Sequence, residues 1–229
     1  MISVLVPTLN AEATLPNTLA ALVKGVIGEI VKEVIISDGG STDETVAMAE
    51  AVGCEVVAGP RGRGPQLIAA AAAARAPWLL FLHADTVLED GWVEEARRFM
   101  ARSGSEDRAA VFTFAFDDDS LAARHVTFWV GLRCRILKLP YGDQGLLISR
   151  ALYDALGGFK PIPLMEDVDL VRRIGGRRLT VLSTRAVTSA ARFRREGFFR
   201  RSVSNLILVT RFLLGADPRA LARAYDAKA

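Results

Sequence analysis

The sequence predicts an α/β domain built on a doubly wound, mostly parallel sheet. Three observations carry this. Through residues 1–90, short β-rich runs alternate with helical ones. Each strand candidate is near-continuously apolar, as expected of parallel strands buried on both faces. The chain has 229 residues, 51% hydrophobic and 24% charged, which is enough to bury one such core and ordinary for a globular protein.

In chain order, strands are expected at residues 2–6, 33–37, 54–58 and 78–83, with helices between them at 13–24, 43–52 and 65–75. The second helix opens with Ser41-Thr42-Asp43-Glu44, where Ser41 and Glu44 have capping-box spacing. Such alternation implies right-handed crossovers and a doubly wound sheet. The pattern then loosens. Residues 110–116 alternate like a half-exposed strand, 120–138 read as helix and 145–149 as a short strand. Helices follow at 151–156 and 168–174, two further strands at 178–183 and 186–191, and an apolar, arginine-studded helix at 198–214. Asp217-Pro218 reads as N-cap and first residue of a last amphipathic helix. Residues 1–195 are expected to form one domain, with basic helices at 196–229 packed on it or extending it; no linker marks a second domain.

Composition sets limits. Residues 1–10 have neither a basic n-region nor a small-residue cleavage site, so no signal peptide is expected. The longest uncharged apolar stretches, 67–74 and 77–82, are too short to span a bilayer. Cys54 and Cys134 lie far apart without metal-ligand spacing and are expected to be reduced packing residues of a cytoplasmic protein. The net charge of +3 hides an asymmetry. From Arg172 onward there are fourteen Lys/Arg against three Asp/Glu; before it, fifteen against twenty-three. A basic tail behind an acidic body points the tail toward something anionic.

Ligands of open parallel sheets bind at the carboxyl ends of strands, and polar residues cluster at four such ends. They are Pro7-Thr8-Leu9-Asn10, Asp38-Gly39-Gly40-Ser41-Thr42-Asp43, Gly59-Pro60-Arg61-Gly62-Arg63-Gly64 and His83-Ala84-Asp85. Asp38-Gly39-Gly40 is either a turn or a carboxylate accepting hydrogen bonds from a base or ribose. The Gly/Arg loop is either a connector or a phosphate cradle with Arg61 or Arg63 supplying charge. Asp85 is either an N-cap or a ligand for Mg²⁺ or Mn²⁺. Farther on stand Tyr141-Gly142-Asp143-Gln144-Gly145 and Met165-Glu166-Asp167-Val168-Asp169. The acids of the second either complement a helix start or crowd one another into a raised pKa that suits a general base. Asp117-Asp118-Asp119 reads as a solvated loop and helix start.

Together, Ser3-Val4-Leu5-Val6-Pro7-Thr8-Leu9-Asn10, Glu33-Val34-Ile35-Ile36-Ser37-Asp38-Gly39-Gly40-Ser41-Thr42-Asp43, Leu82-His83-Ala84-Asp85-Thr86 and Met165-Glu166-Asp167 resemble family 2 glycosyltransferases over about residues 1–195. The Arg61–Gln66 loop, Pro140–Gly145 and Gly157-Gly158-Phe159 are similar to a bacterial subgroup associated with radical-SAM and selenodomain gene neighbourhoods. The resemblance implies a GT-A fold, a nucleoside diphosphate sugar donor, UDP- or GDP-linked, and Mg²⁺ or Mn²⁺. By position, Pro7, Thr8, Leu9, Asn10 and Asp38 would hold nucleobase and ribose, and Arg63 would lie near the base or diphosphate. Asp85 would bind metal, with His83 and Ala84 on the nucleotide-sugar side. Asp167 would be the general base, with Asp143, Gln144 and Glu166 on the acceptor or sugar side. The chain departs from the family at His83, commonly Asp, and at Ala11, commonly Glu. It lacks the Gln-X-X-Arg-Trp of processive synthases, with Arg192-Phe193-Arg194-Arg195 in that region, so one sugar per encounter with inversion is implied.

The C-terminal arginines, Arg194, Arg195, Arg200, Arg201 and Arg211, flank apolar Phe198, Phe199, Leu206, Ile207, Leu208 and Phe212. Either this helix lies on an anionic membrane, on the inner face, and presents a lipid-linked acceptor, or it packs on the sheet or on a second subunit of a homodimer. Two rivals lack their motifs: a sugar-phosphate nucleotidyltransferase needs a Gly-rich basic loop after strand one, and a dinucleotide oxidoreductase needs Gly-X-Gly-X-X-Gly there. A non-catalytic nucleotide-sugar-binding module stays open because of His83. No nucleic-acid partner is expected, since only tail charge supports one.

Overall fold

The computed structural model describes residues 1–136 and 138–226. Leu137, inside the helix expected at 120–138, and residues 227–229 of the expected C-terminal segment lie outside the described residues. The elements run β1 (Ile2–Thr8), α1 (Leu15–Ile27), β2 (Val31–Asp38), α2 (Thr45–Ala51), β3 (Glu55–Ala58), α3 (Arg63–Ala73) and β4 (Trp78–Phe81). Then come β5 (Thr86–Leu88), α4 (Trp92–Met100), β6 (Ala109–Phe116), α5 (Leu121–Ile136), β7 (Leu146–Ser149), α6 (Arg150–Ala155) and α7 (Glu166–Ile174). The chain closes with β8 (Leu179–Thr188), α8 (Ala191–Glu196), α9 (Phe198–Leu213) and α10 (Pro218–Asp226).

One eight-stranded sheet has the order β3-β2-β1-β4-β7-β6-β8-β5. β1, β2, β3 and β4 are mutually parallel, β6 and β8 run the same way, and β7 and β5 are reversed. The sheet is therefore mixed but mostly parallel. Strand alternation divides the core. Ile2, Val4, Val6, Trp78 and Leu80 meet α1 and α4 on one face through Leu15, Leu22, Trp92 and Phe99. Leu5, Leu79 and Phe81 meet α3, α6 and α7 on the other through Leu67, Leu152 and Leu170. Each such fully buried side chain contributes on the order of 1.5–3 kcal/mol. α1 and α4 approach closely at Gly25, where an added Cβ would sit 2.6 Å from the Trp92 ring.

Several expectations need correction. The strand expected to be half-exposed, β6, is buried along nearly its whole length, because β7 and β8 flank it and helices cover both faces. The two strands expected at 178–183 and 186–191 are one, β8, broken in register where Val111 pairs Val181 but Thr113 pairs Arg185. That bulge is held by side chains: Thr113 Oγ1 donates to Leu182 O (2.7 Å), and Glu95 of α4 accepts from the N–H groups of Ser183 (2.8 Å) and Thr184 (2.7 Å) and from both their hydroxyls. Against the cost of burial, these four hydrogen bonds hold the Glu95 carboxyl at about 2. The capping box of Ser41 and Glu44 does not form. α2 begins at Thr45, whose N–H goes to Asp43 Oδ1 (3.1 Å). β5, α4 and α8 were not expected. Cys54 and Cys134 are free thiols, the second buried. No helix among the described residues is long and apolar enough to cross a membrane.

Candidate active site

The parallel strands end on one edge of the sheet, and the reversed strands β5 and β7 begin there. Asp85 precedes β5 and Asp143 lies just before β7. The edge therefore gathers loops from the whole length of the chain, and they form two regions of different character.

The first region joins the loops after β1 and β2. Asp38 Oδ1 accepts from Thr8 Oγ1 (3.0 Å) and Ser41 Oγ (2.5 Å), and Oδ2 from the N–H groups of Gly40 (2.9 Å) and Ser41 (2.8 Å). Burial alone would raise this carboxyl; the hydrogen bonds outweigh it and hold it below the usual range. Asn10, at φ 51°, donates its N–H to Ser41 Oγ (2.8 Å) and accepts Thr42 N–H on Oδ1 (2.9 Å). Ala11 N–H goes to Thr45 Oγ1 (2.7 Å), and Glu12, the residue after it, accepts from Glu44 N–H (3.1 Å). Buried Gln66 donates to the carbonyls of Thr8 (2.6 Å) and Ser37 (2.7 Å), tying α3 to both strand ends. Leu9 and Asn10 stay exposed, and Pro7 is half-buried.

The second region is a cavity of about 220 Å³ lined by Arg63, His83, Asp85, Asp143, Glu166 and Asp167, among others. Arg63 Nε lies 3.2 Å from Glu166 Oε1. Its Nη1 donates to His83 Nε2 (3.3 Å). Glu166 keeps Arg63 firmly protonated. Burial, with Arg63 adding to it, drives the His83 imidazole down to about 3, so the ring is neutral with Nε2 engaged. Burial pushes the Glu166 carboxyl upward, with Arg63 pulling it back. Met165, just before it, sits at φ 68° although it is not glycine, a strained backbone at the mouth of α7. Asp167 Oδ2 accepts from Gly142 N–H (2.7 Å) and Oδ1 from Val168 N–H (2.7 Å). A Cβ at position 142 would lie 2.8 Å from His83 Nε2 and 3.2 Å from Asp167 Oδ2, so only glycine fits between them.

Asp143 Oδ1 is shut off from solvent without a hydrogen-bond partner. Burial, opposed by Arg133 and aided by Asp167 and Asp85, raises its carboxyl to about 6. Asp85 is also raised by burial, with its own N–H, Arg63 and Thr86 acting the other way. It stands between this cavity and a cleft of about 850 Å³ bordered by α1, β5 and β8.

Two expected residues face elsewhere. Gln144 is buried, its Nε2 donating to Phe112 O (2.9 Å) and its Oε1 accepting from Cys134 Sγ (3.0 Å), so its amide is spent in the interior. Ala84 offers its carbonyl to Thr18 Oγ1 (3.0 Å) of α1. Asp38 is at the same sheet edge but does not line the 220 Å³ cavity. Six residues from α8, α9 and α10, namely Arg192, Phe193, Arg201, Asn205, Val209 and Tyr225, line it without having been expected there. Arg192 Nη1 (2.8 Å) and Arg201 Nη2 (2.7 Å) both donate to Tyr225 Oη, and Arg201 also pairs with Glu196. Asp117 and Asp118, expected to be solvated, pair with Arg194.

The cavity thus offers guanidinium groups to an anion and carboxylates to a cation or a proton. Among the described residues, no three His, Cys, Asp or Glu converge as a closed metal cage. Mg²⁺ and Mn²⁺ do not need one. Hard cations of this kind take one or two carboxylates and fill the remaining positions with phosphate oxygens and water. A single half-buried carboxylate raised by burial, as at Asp85, fits that mode. His83, committed to Arg63, does not add a second ligand through Nε2.

The family model for glycosyl transferase family 2 matches residues 3–162. Over 56 residues the chain is 43% identical to a glucosyl-3-phosphoglycerate synthase of Mycolicibacterium smegmatis, covering 24% of this chain and 18% of that protein. Over 91 residues it is 34% identical to an uncharacterized glycosyltransferase of Mycobacterium tuberculosis, covering 39% of each. The matched segments thus span less than two-fifths of these curated relatives. Among solved structures, the Mycobacterium tuberculosis glucosyl-3-phosphoglycerate synthase, in complex with Mn²⁺, UDP-glucose and glycerol 3-phosphate, superposes with a TM-score of 0.61 at 21% identity, covering 90% of this chain and 79% of that one. S. aureus TarS 1-349 in complex with UDP-GlcNAc gives 0.63 at 18% identity, covering 82% and 58%. At these identities the likeness establishes the fold, a GT-A fold. With its model spanning most of the sheet and every loop of the first region, the chain belongs to glycosyl transferase family 2.

Proposed function

We propose that the chain transfers one sugar from a nucleoside diphosphate sugar to an acceptor hydroxyl, with inversion, in the cavity between Asp85 and Asp167. The observation that carries this is the shared cavity: residues from after β4 and from the start of α7 face each other across about 220 Å³, with arginines around them. The nucleoside rests on the joined loops of Pro7, Thr8, Leu9, Asn10 and Asp38, which their mutual hydrogen bonds hold in place before ligand arrives. The M. tuberculosis synthase in complex with Mn²⁺ and UDP-glucose supports a UDP-linked donor here.

A divalent cation, Mn²⁺ or Mg²⁺, would be held by Asp85 and would offset the charge of the diphosphate. The remaining work falls to side chains of this protein. Asp167, oriented by the Gly142 and Val168 amides, takes the proton of the acceptor hydroxyl. As that oxygen bonds to the anomeric carbon from one side, the bond to the diphosphate oxygen breaks on the other, and the nucleoside diphosphate leaves with the electron pair. Arg63, fixed between Glu166 and His83, presents permanent positive charge to the anionic group. Arg192 and Arg201 close the cavity from the C-terminal helices.

Loss of a general base typically costs 10²–10⁴-fold in rate, roughly. Asp167→Asn keeps the size and one of the two amide contacts, so turnover should fall by about that factor while calorimetry shows donor affinity within about twofold of wild type. Wild-type turnover in this variant removes Asp167 from the mechanism.

A further inference from the structure

A groove of about 690 Å³ runs between α5 and α9. Its lining includes Phe114, Phe193 and Phe198, each packed edge-on against Phe116 (4.7, 4.8 and 5.6 Å between ring centres). Its walls carry large apolar side chains in contact with water, Trp129 (54% exposed), Leu206 (61%) and Phe199 (83%). A contiguous exposed apolar surface of this kind marks a place where something docks.

What docks is indicated by where the groove ends. Tyr141, Asp143, Phe193 and Asn205 line both the groove and the transfer cavity, so one opens into the other. Three polar atoms on the groove's lining residues are shut off from solvent without a hydrogen-bond partner: Asp143 Oδ1 at the shared end, Arg133 Nη2, whose guanidinium stacks on Tyr141 there, and Ser202 Oγ. Unpartnered buried groups are costly and rare. An apolar trough that terminates in unused donors and an acceptor has the complementarity of an amphiphile, with hydrocarbon along the trough and a hydroxylated head at its end.

We propose that the α5/α9 groove holds the hydrocarbon chain of an amphiphilic acceptor alcohol, whose hydroxylated head meets Arg133, Ser202 and Asp143 and whose nucleophilic oxygen reaches Asp167. This rests on the cavity being the transfer site. The junction suits a neutral head because the cations nearest it are already engaged: Arg201 pairs with Glu196, Arg192 and Arg201 both donate to Tyr225 Oη, and Arg133 is stacked 3.4 Å over the Tyr141 ring. Arg124, Arg135 and Arg200, exposed on the same two helices, suit an anionic lipid surface from which such an acceptor is drawn. A second copy of the chain seated on the groove would cover the apolar walls but would close the route to Asp167.

Trp78 and Trp92 lie in the core, so a change in tryptophan emission on filling the groove reports Trp129. Titrating the full chain with n-alkyl glucosides from butyl to decyl, below micellar concentration, should give a saturable blue shift. Its Kd should tighten roughly fourfold per added methylene, the value expected for CH₂ burial. Leu206→Asp, at an exposed position, should weaken the decyl ligand at least tenfold, by rough reckoning from the same burial term. It should also flatten the chain-length dependence, whereas Ile27→Asp on exposed α1 surface should change neither. A flat series, or an unaffected Leu206→Asp variant, overturns the groove assignment. So does a wild-type dimer in sedimentation that Leu206→Asp dissociates, which would give the groove to a second copy. Thermal shift by UDP with Mn²⁺ on the same samples keeps the two readings apart. A UDP shift with a flat alkyl series removes the groove alone. A normal alkyl series with no UDP shift removes the transfer site, and the acceptor role of the groove with it.

Discussion

Asp38 and Asp143 stand on the same edge of the sheet and have opposite electrostatic fates. Asp38 receives four hydrogen bonds and its carboxyl is held below the usual range. Asp143 leaves Oδ1 unpartnered and is raised to about 6. The contrast extends to their surroundings. The loops after β1 and β2 satisfy one another, Asn10 with Ser41 and Thr42, Ala11 with Thr45, and Gln66 with both strand ends. The cavity instead crowds Asp85, Asp143, Glu166 and Asp167 around Arg63. The first region is a finished frame. The second holds charge and polar capacity that its own residues do not use up.

This difference can be broken from either side. The larger effect should come from the frame. Asp38→Ala removes the acceptor of four hydrogen bonds at a buried position and should destabilise the fold by about 3 kcal/mol in urea denaturation. Because folding lowers this carboxyl, its contribution is present above the ordinary carboxylate range and disappears as pH falls through that range and below it. The variant should accordingly show a shallower decline in stability at acid pH than wild type, the remainder coming from other lowered carboxyls such as Glu33 and Glu95. An Asp38→Ala protein as stable as wild type at pH 7 would mean that the frame does not depend on it.

The cavity should respond with the opposite sign. Folding raises Asp143 from 3.8 to about 6, so the folded state favours the proton, and stability is lost as pH rises from the first value through the second. Asp143→Asn removes the ionisation. Its stability relative to wild type should improve between pH 5 and pH 8 by about 1–2 kcal/mol, measured without donor. A difference that does not change with pH would show that Asp143 pays no cost for its charge, and the contrast with Asp38 would disappear.

Much of the frame was legible from residues alone, because parallel strands buried on both faces read as apolar runs and their polar exits stand out. β1, β2, β3 and β4, the loops after them and the Asp85 position follow from that pattern, whereas Asp167 stood out by the crowding of acids at a helix start and by the family resemblance. What escaped did so for physical reasons. β5 has three residues, too few to show a period. β8 was split because its bulge interrupts alternation, and the residue that stabilises the bulge, Glu95, lies on a helix far away in sequence. Ser41 has capping-box spacing, but its hydroxyl is already committed to Asp38 and Asn10. Neighbours such as Asp143 and Gln144 cannot be sorted by type, since only the turn into β7 sends one to the cavity and the other to Phe112 and Cys134. Arg192, Arg201 and Tyr225 reach the site because Leu208, Val209 and Leu221 pack with Val168, a tertiary event with no local signature.

The most direct test is calorimetric titration of UDP-glucose into the wild-type chain and Asp85→Ala, each with and without Mn²⁺. If the diphosphate is seated at Asp85 through a cation, Mn²⁺ should tighten wild-type binding by roughly tenfold or more, about 1.4 kcal/mol or above, and leave Asp85→Ala unchanged. Equal affinities in all four titrations, or an equal gain from Mn²⁺ in both proteins, would contradict a metal-assisted donor site between Asp85 and Asp167.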